Sequence, residues 1–274
     1  MRVLVSVDME GVAGVVDPAD VRPGEPEYER NRHLMTAEAN AAIRGVLTYD
    51  STAEVIVSDA HAQFRNLLPE KLDRRARLLR GKPKLGGMLA GIETGVDACV
   101  FVGYHGQAGK ACSVLAHTVS SAVIADVRCN ERSLGEIGLN VALAAHHGAV
   151  PVLVTGDDTV ALEAADLAPG MRTVVVKRAL GARAADSLHP GEACDRIEAE
   201  VSSALRDRES VKPLRFDGQV TLEVDVLTPA KAELAAFYVP GMQRPSGTTL
   251  RYVAPDFPTA HRVVSLIAIL GNVG

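Results

Sequence analysis

Two carboxylates that are two residues apart, Asp8 and Glu10, directly follow an apolar, β-branched run from Val3 to Val7. Side chains alternate across a strand, so both carboxylates point to the same side of it, with Cα atoms about 6.5 to 7 Å apart. Two carboxylates about 4 Å apart repel each other by about 4 kcal/mol at an effective dielectric constant near 20. The pair therefore needs metal ions, a proton or open water, and the sequence leaves a metal site and a solvated strand end as alternative interpretations.

Two histidines stand at corresponding positions of later apolar runs. His61 follows the run from Glu54 to Ser58, and His105 follows the run from Asp97 to Gly103. Because the carboxyl ends of strands in an open parallel sheet line its ligand crevice, we expect these histidines to converge on the two carboxylates. Either histidine taken alone is more simply a hydrogen-bonded loop residue. Together, imidazole and carboxylate suit zinc, manganese or cobalt, and a two-metal site places its ions about 3.5 to 4 Å apart.

Two further residues have a structural and a functional interpretation. Glu136 is the third residue after Ser133, which is the spacing of a capping box at the start of a helix. On spacing alone, His117 is a hydrogen-bonded histidine of the core. Neither residue is assigned to a metal or to catalysis by its local sequence.

The elements that must position these residues alternate between strands and helices. Apolar side chains at helical spacing over Tyr28–Thr48 predict a crossover helix after the first strand. Strands separated by helical patterns indicate βαβ units and a mostly parallel sheet. The sequence also predicts a short strand at Arg77–Leu79, a helix at Met88, an antiparallel ribbon at Ala122–Val127 and Cys129–Leu134, helices at Gly135–His147, Asp158–Asp166 and Pro190–Asp207, and strands at Pro151–Thr155 and Thr173–Lys177.

The predicted fold is α/β, with a mostly parallel central sheet flanked by helices, an antiparallel ribbon insertion and a smaller C-terminal α+β subdomain. The stretch Lys212–Gly218 contains proline and glycine and resembles a boundary. It divides a metal-binding catalytic domain, residues 1–211, from a strand-helix-strand-helix subdomain, residues 212–274, packed on the first.

Composition excludes several classes of function. The net charge is −5 and there is no basic block, so neither nucleic acid nor a membrane is an expected partner. Acidic residues interrupt the first apolar run too early for a signal peptide, and no apolar run reaches about 18 residues, so we expect a cytoplasmic protein. The four cysteines have no C-x-x-C spacing, which argues against a disulfide scaffold or thiolate-bound metal.

Several motifs, taken together and in order, resemble one family. They are S-V-D-M-E-G at Ser6–Gly11, S-D-A-H ending at His61, G-Y-H ending at His105, an isolated His117, L-G-E-I-G-L-N around Glu136, and V-T-G-D-D ending at Asp158. This pattern is similar to the D-aminopeptidase (DppA-type) family of dinuclear zinc peptidases. The resemblance runs from Met1 to about Lys177, with a weaker echo at Ser246–Thr249.

The resemblance implies a set of site residues and an assembly. The family's ligands for two zinc ions per subunit fall on Asp8, Glu10, His61, His105 and Glu136, and its catalytic histidine falls on His117. It also implies short peptide substrates and a homo-oligomeric ring, a decamer, that shelters the active sites in an inner chamber. For substrate binding, Asp157 and Asp158 are candidates to hold the substrate's α-ammonium group, and helix capping is the alternative for both.

The predicted function is that of a zinc-dependent aminopeptidase, in which a metal-activated hydroxide removes the N-terminal residue, in some members a D-residue, of short peptides. One alternative is a magnesium-dependent phosphohydrolase of the haloacid-dehalogenase type, but that enzyme would leave His61 and His105 unused and would have Asp at position 10. The other alternative is a non-catalytic oligomeric binding protein whose acids and histidines are structural.

Overall fold

The β-branched runs of the sequence form the strands of two sheets in the computed structural model, which describes residues 1–273. The eleven strands within these residues are β1 (Arg2–Val7), β2 (Glu54–Asp59), β3 (Ala76–Leu79), β4 (Ala98–Tyr104), β5 (Ile124–Cys129), β6 (Arg132–Ser133), β7 (Val150–Asp157), β8 (Arg172–Gly181), β9 (Ala184–Ser187), β10 (Val220–Val226) and β11 (Thr249–Ala254). The α-helices are α1 (Pro18–Val21), α2 (Pro26–Tyr49), α3 (Glu136–His146), α4 (Asp158–Leu167), α5 (Pro190–Arg206), α6 (Pro229–Tyr238) and α7 (Phe257–Gly271).

The central sheet has seven strands in the order β3-β2-β1-β4-β7-β8-β9. Every pair from β3 to β8 is parallel, and only the edge strand β9 runs antiparallel to its neighbour β8. The innermost strands are buried along nearly their whole length, as expected of parallel strands covered on both faces. The predicted parallel α/β core is therefore confirmed.

Helices cover both faces of this sheet. The side chains of α2 and α5 pack with Val3, Val5 and Val100 on one face. On the other face, residues of α3 and α4 join Leu4 and Phe101 in the larger core cluster. The chain thus places two helical layers around β1 and β4, and these two strands end at the edge of the sheet where the candidate ligands follow.

The second sheet is antiparallel, in the order β11-β10-β5-β6. It joins the predicted ribbon to the C-terminal strands, because β10 pairs with β5 on one side and with β11 on the other. The four elements expected after residue 218 are all present, in the order β10, α6, β11 and α7. The division at residues 212–218 stays a prediction, since pairing across it is compatible with a packed subdomain.

Local differences from the sequence prediction have identifiable causes. The predicted helix at Met88 is wrong: two short 3₁₀ turns, Gly87–Leu89 and Ile92–Thr94, stand there. Gly86 and Gly91 precede them in the left-handed conformation, with φ of 84° and 95°, which prevents a continuous helix. The strand predicted at Thr173–Lys177 extends to Gly181 and turns back as β9. Among residues 1–273, no helix combines the length and the apolar character needed to cross a membrane.

Candidate metal centre

Five side chains predicted as ligands converge at the carboxyl edge of the central sheet. Asp8 and Glu10 follow β1, His61 follows β2, His105 follows β4, and Glu136 is the first residue of α3. All five are between 1% and 7% exposed. The structure therefore brings together, in a buried place, residues that are up to 128 positions apart in sequence.

The turn after β1 is packed against the end of β4. The amide of Asp8 donates to the Val102 carbonyl at 2.8 Å, and the amide of Gly11 donates to the Gly103 carbonyl at 2.8 Å. A Cβ atom on Gly11 would stand 1.9 Å from the carbonyl oxygen of Tyr104. Only glycine fits here, and this close backbone approach places the two carboxylates beside His105.

Asp8 lies between the two halves of the cluster. Its Oδ1 is 3.4 Å from Nδ1 of His61, and its Oδ2 is 3.5 Å from Nε2 of His105. Glu10 Oε2 is 3.0 Å from the same nitrogen of His61, and Glu136 Oε1 is 3.6 Å from the same nitrogen of His105. One carboxylate thus faces two histidines, and each histidine has a second carboxylate of its own.

Backbone carbonyls fix the ring nitrogens that face away from the centre. Nε2 of His61 lies 2.9 Å from the Val21 carbonyl oxygen, and Nδ1 of His105 lies 3.0 Å from that of Gly106. A carbonyl oxygen only accepts hydrogen bonds, so each of these nitrogens carries the proton. In the neutral rings, the nitrogens that face the carboxylates therefore present lone pairs.

The electrostatics of the cluster call for positive charge. Burial and then repulsion from Glu10 raise the pKa of Asp8 well above its usual value. Burial opposes a charge on His105, but Glu136, Glu10 and Asp8 together raise its pKa to about 10. Burial likewise acts against ionised Glu10, yet the neighbouring His61 holds its pKa well below the usual range. Protons balance the excess of carboxylates in the protein alone, and a bound cation would replace them.

The donor set fits a zinc-like ion. Nε2 of His105 is buried and has no hydrogen-bond partner within residues 1–273, although two carboxylates face it. Ligand atoms of Asp8, Glu10 and His105 lie within 4.8 Å of one another, and so do those of His105, His117 and Glu136. Imidazole nitrogen and carboxylate oxygen are ordinary zinc ligands, and a cation between them would satisfy this nitrogen.

His117 lies at the same centre and not in the hydrophobic core. Its ring stacks on that of His105, with centroids 4.2 Å apart and planes 13° apart. Nε2 of His117 is 3.4 Å from Glu136 Oε1, and 18% of its side chain remains accessible to solvent. Nδ1 lies 2.9 Å from the Leu115 carbonyl oxygen, which fixes the proton on that nitrogen. The core alternative for His117 is therefore wrong.

Glu136 does not form the capping box that its spacing suggested. The N-cap of α3 is Gly135, with no hydrogen bond from a capping side chain. Ser133 belongs to β6, and its hydroxyl donates instead to Asp126. The Glu136 carboxylate turns to the centre, where Oε1 accepts from the amide of Val119 at 2.7 Å. The start of α3 therefore positions Glu136, and its carboxylate forms no capping hydrogen bond there.

The two acids after Gly156 are engaged by their own chain. Asp157 is fully buried, caps α4 through Val160, and also accepts from the hydroxyl of Ser113. Asp158 Oδ1 accepts from the amide of Ala179 at 2.9 Å. The capping alternative thus describes Asp157. A substrate-binding role of Asp157 and Asp158 stays a prediction that these contacts do not support.

One residue beside the centre was missed by sequence reasoning. Lys177 is 1% exposed, and its ammonium group donates to the Glu10 carbonyl oxygen. The available signal was a lysine that ends the β-branched run T-V-V-V-K at Thr173–Lys177. A lysine in such a run is seldom fully buried unless it has partners, and it could have been singled out on that ground.

Comparison with known proteins defines the class. A family model described as D-aminopeptidase matches residues 1–266, so the chain belongs to the D-aminopeptidase family of peptidases. This finding confirms the family and the class of enzyme predicted from the sequence, and favours an aminopeptidase over the phosphohydrolase and non-catalytic alternatives.

Individual relatives agree over the whole length. The chain is 33% identical to the D-aminopeptidase of Bacillus subtilis (strain 168) over 271 residues, which cover 98% of this chain and 97% of the relative. A solved structure, a Zn-dependent D-aminopeptidase DppA from Bacillus subtilis described as a self-compartmentalizing protease, superposes with a TM-score of 0.95 at 32% identity. The match covers 100% of this chain and 99% of that chain.

Proposed function

We propose that this protein is a zinc-dependent aminopeptidase that binds two zinc ions per subunit and removes the N-terminal residue, D-residues included, from short peptides. The observation that carries the proposal is the position of Asp8, whose two oxygens face His61 and His105 at 3.4 and 3.5 Å. A carboxylate placed between two histidines in this way suits a bridging ligand of two adjacent ions. The zinc-dependent relative supports the choice of metal.

The ligands divide into two sets that share Asp8. Glu10 and His61 lie on one side of Asp8 and would hold zinc there, and His105 and Glu136 lie on its other side and would do the same. When bound, zinc polarises a peptide carbonyl and makes water nucleophilic near neutral pH. The buried carboxylates and carbonyl-fixed imidazoles contribute by presenting lone pairs in a fixed arrangement, so little reorganisation is needed when the ions bind.

His117 is the residue proposed to act in catalysis. The Leu115 carbonyl keeps the proton on Nδ1, so Nε2 is the atom that can take up and release a proton towards the centre. The His117 side chain is 18% accessible to solvent, which would let a substrate reach it. In the proposed reaction it protonates the leaving amine or donates a hydrogen bond to the oxyanion.

The proposal is tested with three matched dipeptides: D-alanyl-glycine, L-alanyl-glycine and N-acetyl-D-alanyl-glycine. We expect the zinc-loaded protein to hydrolyse the free dipeptides, the D-form included, and to leave the acetylated one intact. Activity should disappear on removal of the metal and return with zinc. Equal cleavage of the acetylated peptide, or hydrolysis that does not respond to zinc, would contradict the proposal. Hydrolysis of p-nitrophenyl phosphate with magnesium alone would favour the phosphohydrolase.

The assembly of the protein is a separate part of the proposal. Because the similar solved structure is described as self-compartmentalizing, we propose that this chain forms a ring-shaped homodecamer in the cytoplasm, with the active sites facing an inner chamber. Light scattering or native mass spectrometry should then give a particle of ten chains. A monomer at micromolar concentration would contradict it.

The division of the chain at residues 212–218 is likewise proposed. Residues 211–217 have neither helix nor strand, although β10 then pairs with β5. Limited proteolysis should cut first in this stretch and leave two fragments that remain associated. A first cut elsewhere would argue against the boundary.

A further inference from the structure

Two buried charged residues lie next to the metal centre without belonging to the ligand set. Asp157 is at the end of β7 and Lys177 is on β8, and they are partners across the β7–β8 pair. They are 0% and 1% exposed. Burying a charge is costly unless it is paired and hydrogen-bonded, so the contacts of each residue show what it does.

Lys177 holds the loop that follows β1. Its Nζ donates to the carbonyl oxygens of Glu10 at 2.5 Å, Val12 at 3.0 Å and Val15 at 2.6 Å. These three bonds use all the protons of the ammonium group. From the other side, Glu38 on α2 accepts from the amide of Ala13 at 2.8 Å. The backbone on which Glu10 stands is thus fixed by two buried side chains, Lys177 and Glu38.

Asp157 holds the segment that leads to His117. Its Oδ2 accepts from the hydroxyl of Ser113 at 2.6 Å and from the amide of Val114 at 2.8 Å. The next residue, Leu115, has a φ of 55°, which is uncommon for a side chain of its type. The amide of Leu115 donates to the Ala182 carbonyl oxygen at 3.0 Å. This anchoring aims the Leu115 carbonyl at Nδ1 of His117.

An apolar side chain at either position would avoid the cost of burial but could not make these bonds. Burial lowers the pKa of Lys177 to about 8, and neighbouring Glu38 and Asp157 act in the opposite direction. Asp157 and Lys177 lie outside the loops that they hold. Their hydrogen bonds link β7 and β8 to the loops that follow β4 and β1. Each charge is therefore suited to holding one loop in place.

We propose that Lys177 and Asp157 are positioning residues with separate tasks: Lys177 places the loop of the ligand Glu10, and Asp157 places the loop of His117. This inference rests on the proposed function, because it assigns the two loops to metal binding and to catalysis. It follows that loss of Lys177 affects metal affinity, whereas loss of Asp157 affects turnover at full metal occupancy.

The test compares Lys177→Met and Asp157→Asn with the wild-type protein in three measurements: zinc affinity by chelator competition, kcat and KM at saturating zinc, and thermal unfolding of the metal-free protein. We expect Lys177→Met to bind zinc about 10- to 100-fold more weakly, the usual effect of losing a residue that orients a ligand. We expect Asp157→Asn to keep the zinc affinity within about twofold and to lower kcat about 10- to 100-fold with little change in KM.

A matched control separates positioning from general stability. Val201 is fully buried on α5, where it contacts Gly45 of α2, far in sequence from both loops. Val201→Ala should lower the unfolding temperature and leave zinc affinity and kcat as in the wild type. If Lys177→Met and Asp157→Asn behave like this control, the positioning proposal is overturned.

Gentler variants keep the test decisive if either main variant does not fold. Lys177→Arg keeps the charge but places a planar fork where three carbonyls converge, and should weaken zinc binding. Ser113→Ala removes one bond to Asp157 and should lower kcat by a smaller factor at normal zinc affinity. Wild-type values in both would overturn the inference. If the wild-type protein itself binds no zinc, the proposed function fails. Wild-type zinc affinity in the Lys177 variants, together with wild-type kcat in the Asp157 and Ser113 variants, refutes only the positioning roles.

Discussion

Charged side chains gather in two regions of this molecule, and the two clusters are completed differently. On the antiparallel sheet, Arg128 lies 2.5 Å from Asp126 and 2.7 Å from Asp225, and Arg251 lies 2.7 Å from Glu223. At the edge of the parallel sheet, the acids face histidines, and Nε2 of His105 is left without a hydrogen-bond partner within the described chain.

The difference shows how a structural cluster can be told from a binding site. The guanidinium groups of the first cluster satisfy their carboxylates, so nothing further is required there. In the second cluster, bound protons balance the charge of the carboxylates. The pKa values of Asp8 and His105 are strongly shifted. A bound cation would complete a cluster of carboxylates and imidazole lone pairs, and this incompleteness supports the proposed metal centre.

The largest effect is expected from Asp8→Ala. Because Asp8 faces both halves of the centre, its loss should reduce bound zinc from about two ions to one or none and lower kcat/KM by roughly 10⁴-fold or more. His105→Ala should lose metal in the same way. Elemental analysis and peptide hydrolysis measure both effects. Asp126→Ala in the arginine-paired cluster is the control and should keep zinc and activity. Full zinc occupancy at wild-type affinity in Asp8→Ala would contradict the distinction between a metal-binding cluster and a structural one.

The next largest effect is expected from Glu136→Gln. This variant should lose one zinc ion and its activity should fall by roughly 10³ to 10⁴-fold, because a neutral amide is a poor ligand. The helix N-terminus itself makes no use of this carboxylate, so thermal unfolding of the metal-free protein should change little. The informative measurement is turnover beside unfolding temperature. Near-normal turnover would show that Glu136 is structural after all.

His117→Ala should lower kcat by roughly 10² to 10⁴-fold while both zinc ions and the oligomer are kept, since a positioned acid or base contributes about this much. Zinc content and turnover per folded subunit are measured together. Loss of an ion would make His117 a ligand, as its closeness to Glu136 also allows. Normal turnover in a variant that unfolds early would refute the catalytic role.

The smallest effect is expected in the other cluster, from Arg128→Met. Its ion pairs are partly exposed, so unfolding free energy should fall by only about 1 kcal/mol, with kcat unchanged. The hydrogen bond from Arg128 lowers the pKa of Asp225 in the folded state. Its stabilisation is therefore present above about pH 4 and is lost as the pH falls through the lower, folded-state pKa.

Denaturation of wild type and Arg128→Met at pH 7 and at pH 3 measures this effect. The difference in unfolding free energy should shrink at pH 3. A difference that grows at pH 3, or a loss of peptidase activity at pH 7, would mean that the two clusters are not independent.

Much of the fold was predictable because its strands are buried on both faces. The runs that precede His61 and His105 predict strands with bounds within one residue of those observed. The convergence of Asp8, Glu10 and the two histidines followed from the rule that parallel strand ends share one edge. Local signals failed where glycine conformation decides, as at Gly86 and Gly91, where a helix was expected.

The rest of the site depends on tertiary contacts that no local pattern encodes. Glu136 has capping-box spacing, and only the pairing of Ser133 in β6 with Arg128 of β5 removes that function. The place of His117 depends on a segment held by Asp157, 40 residues further along the chain. The local sequence around Lys177 indicates only the end of a strand. Its three partners lie on the loop after the first strand, more than 160 positions away.

The most direct test of the account is the zinc stoichiometry of the wild-type protein, followed through removal and return of the metal. Native mass spectrometry, with peptide hydrolysis measured on the same samples, should show two zinc ions per chain, no hydrolysis after chelation, and recovery of both when zinc is restored. One ion or none in the active protein, or hydrolysis that persists after chelation, would contradict the claim that the cluster around Asp8 is a two-zinc centre.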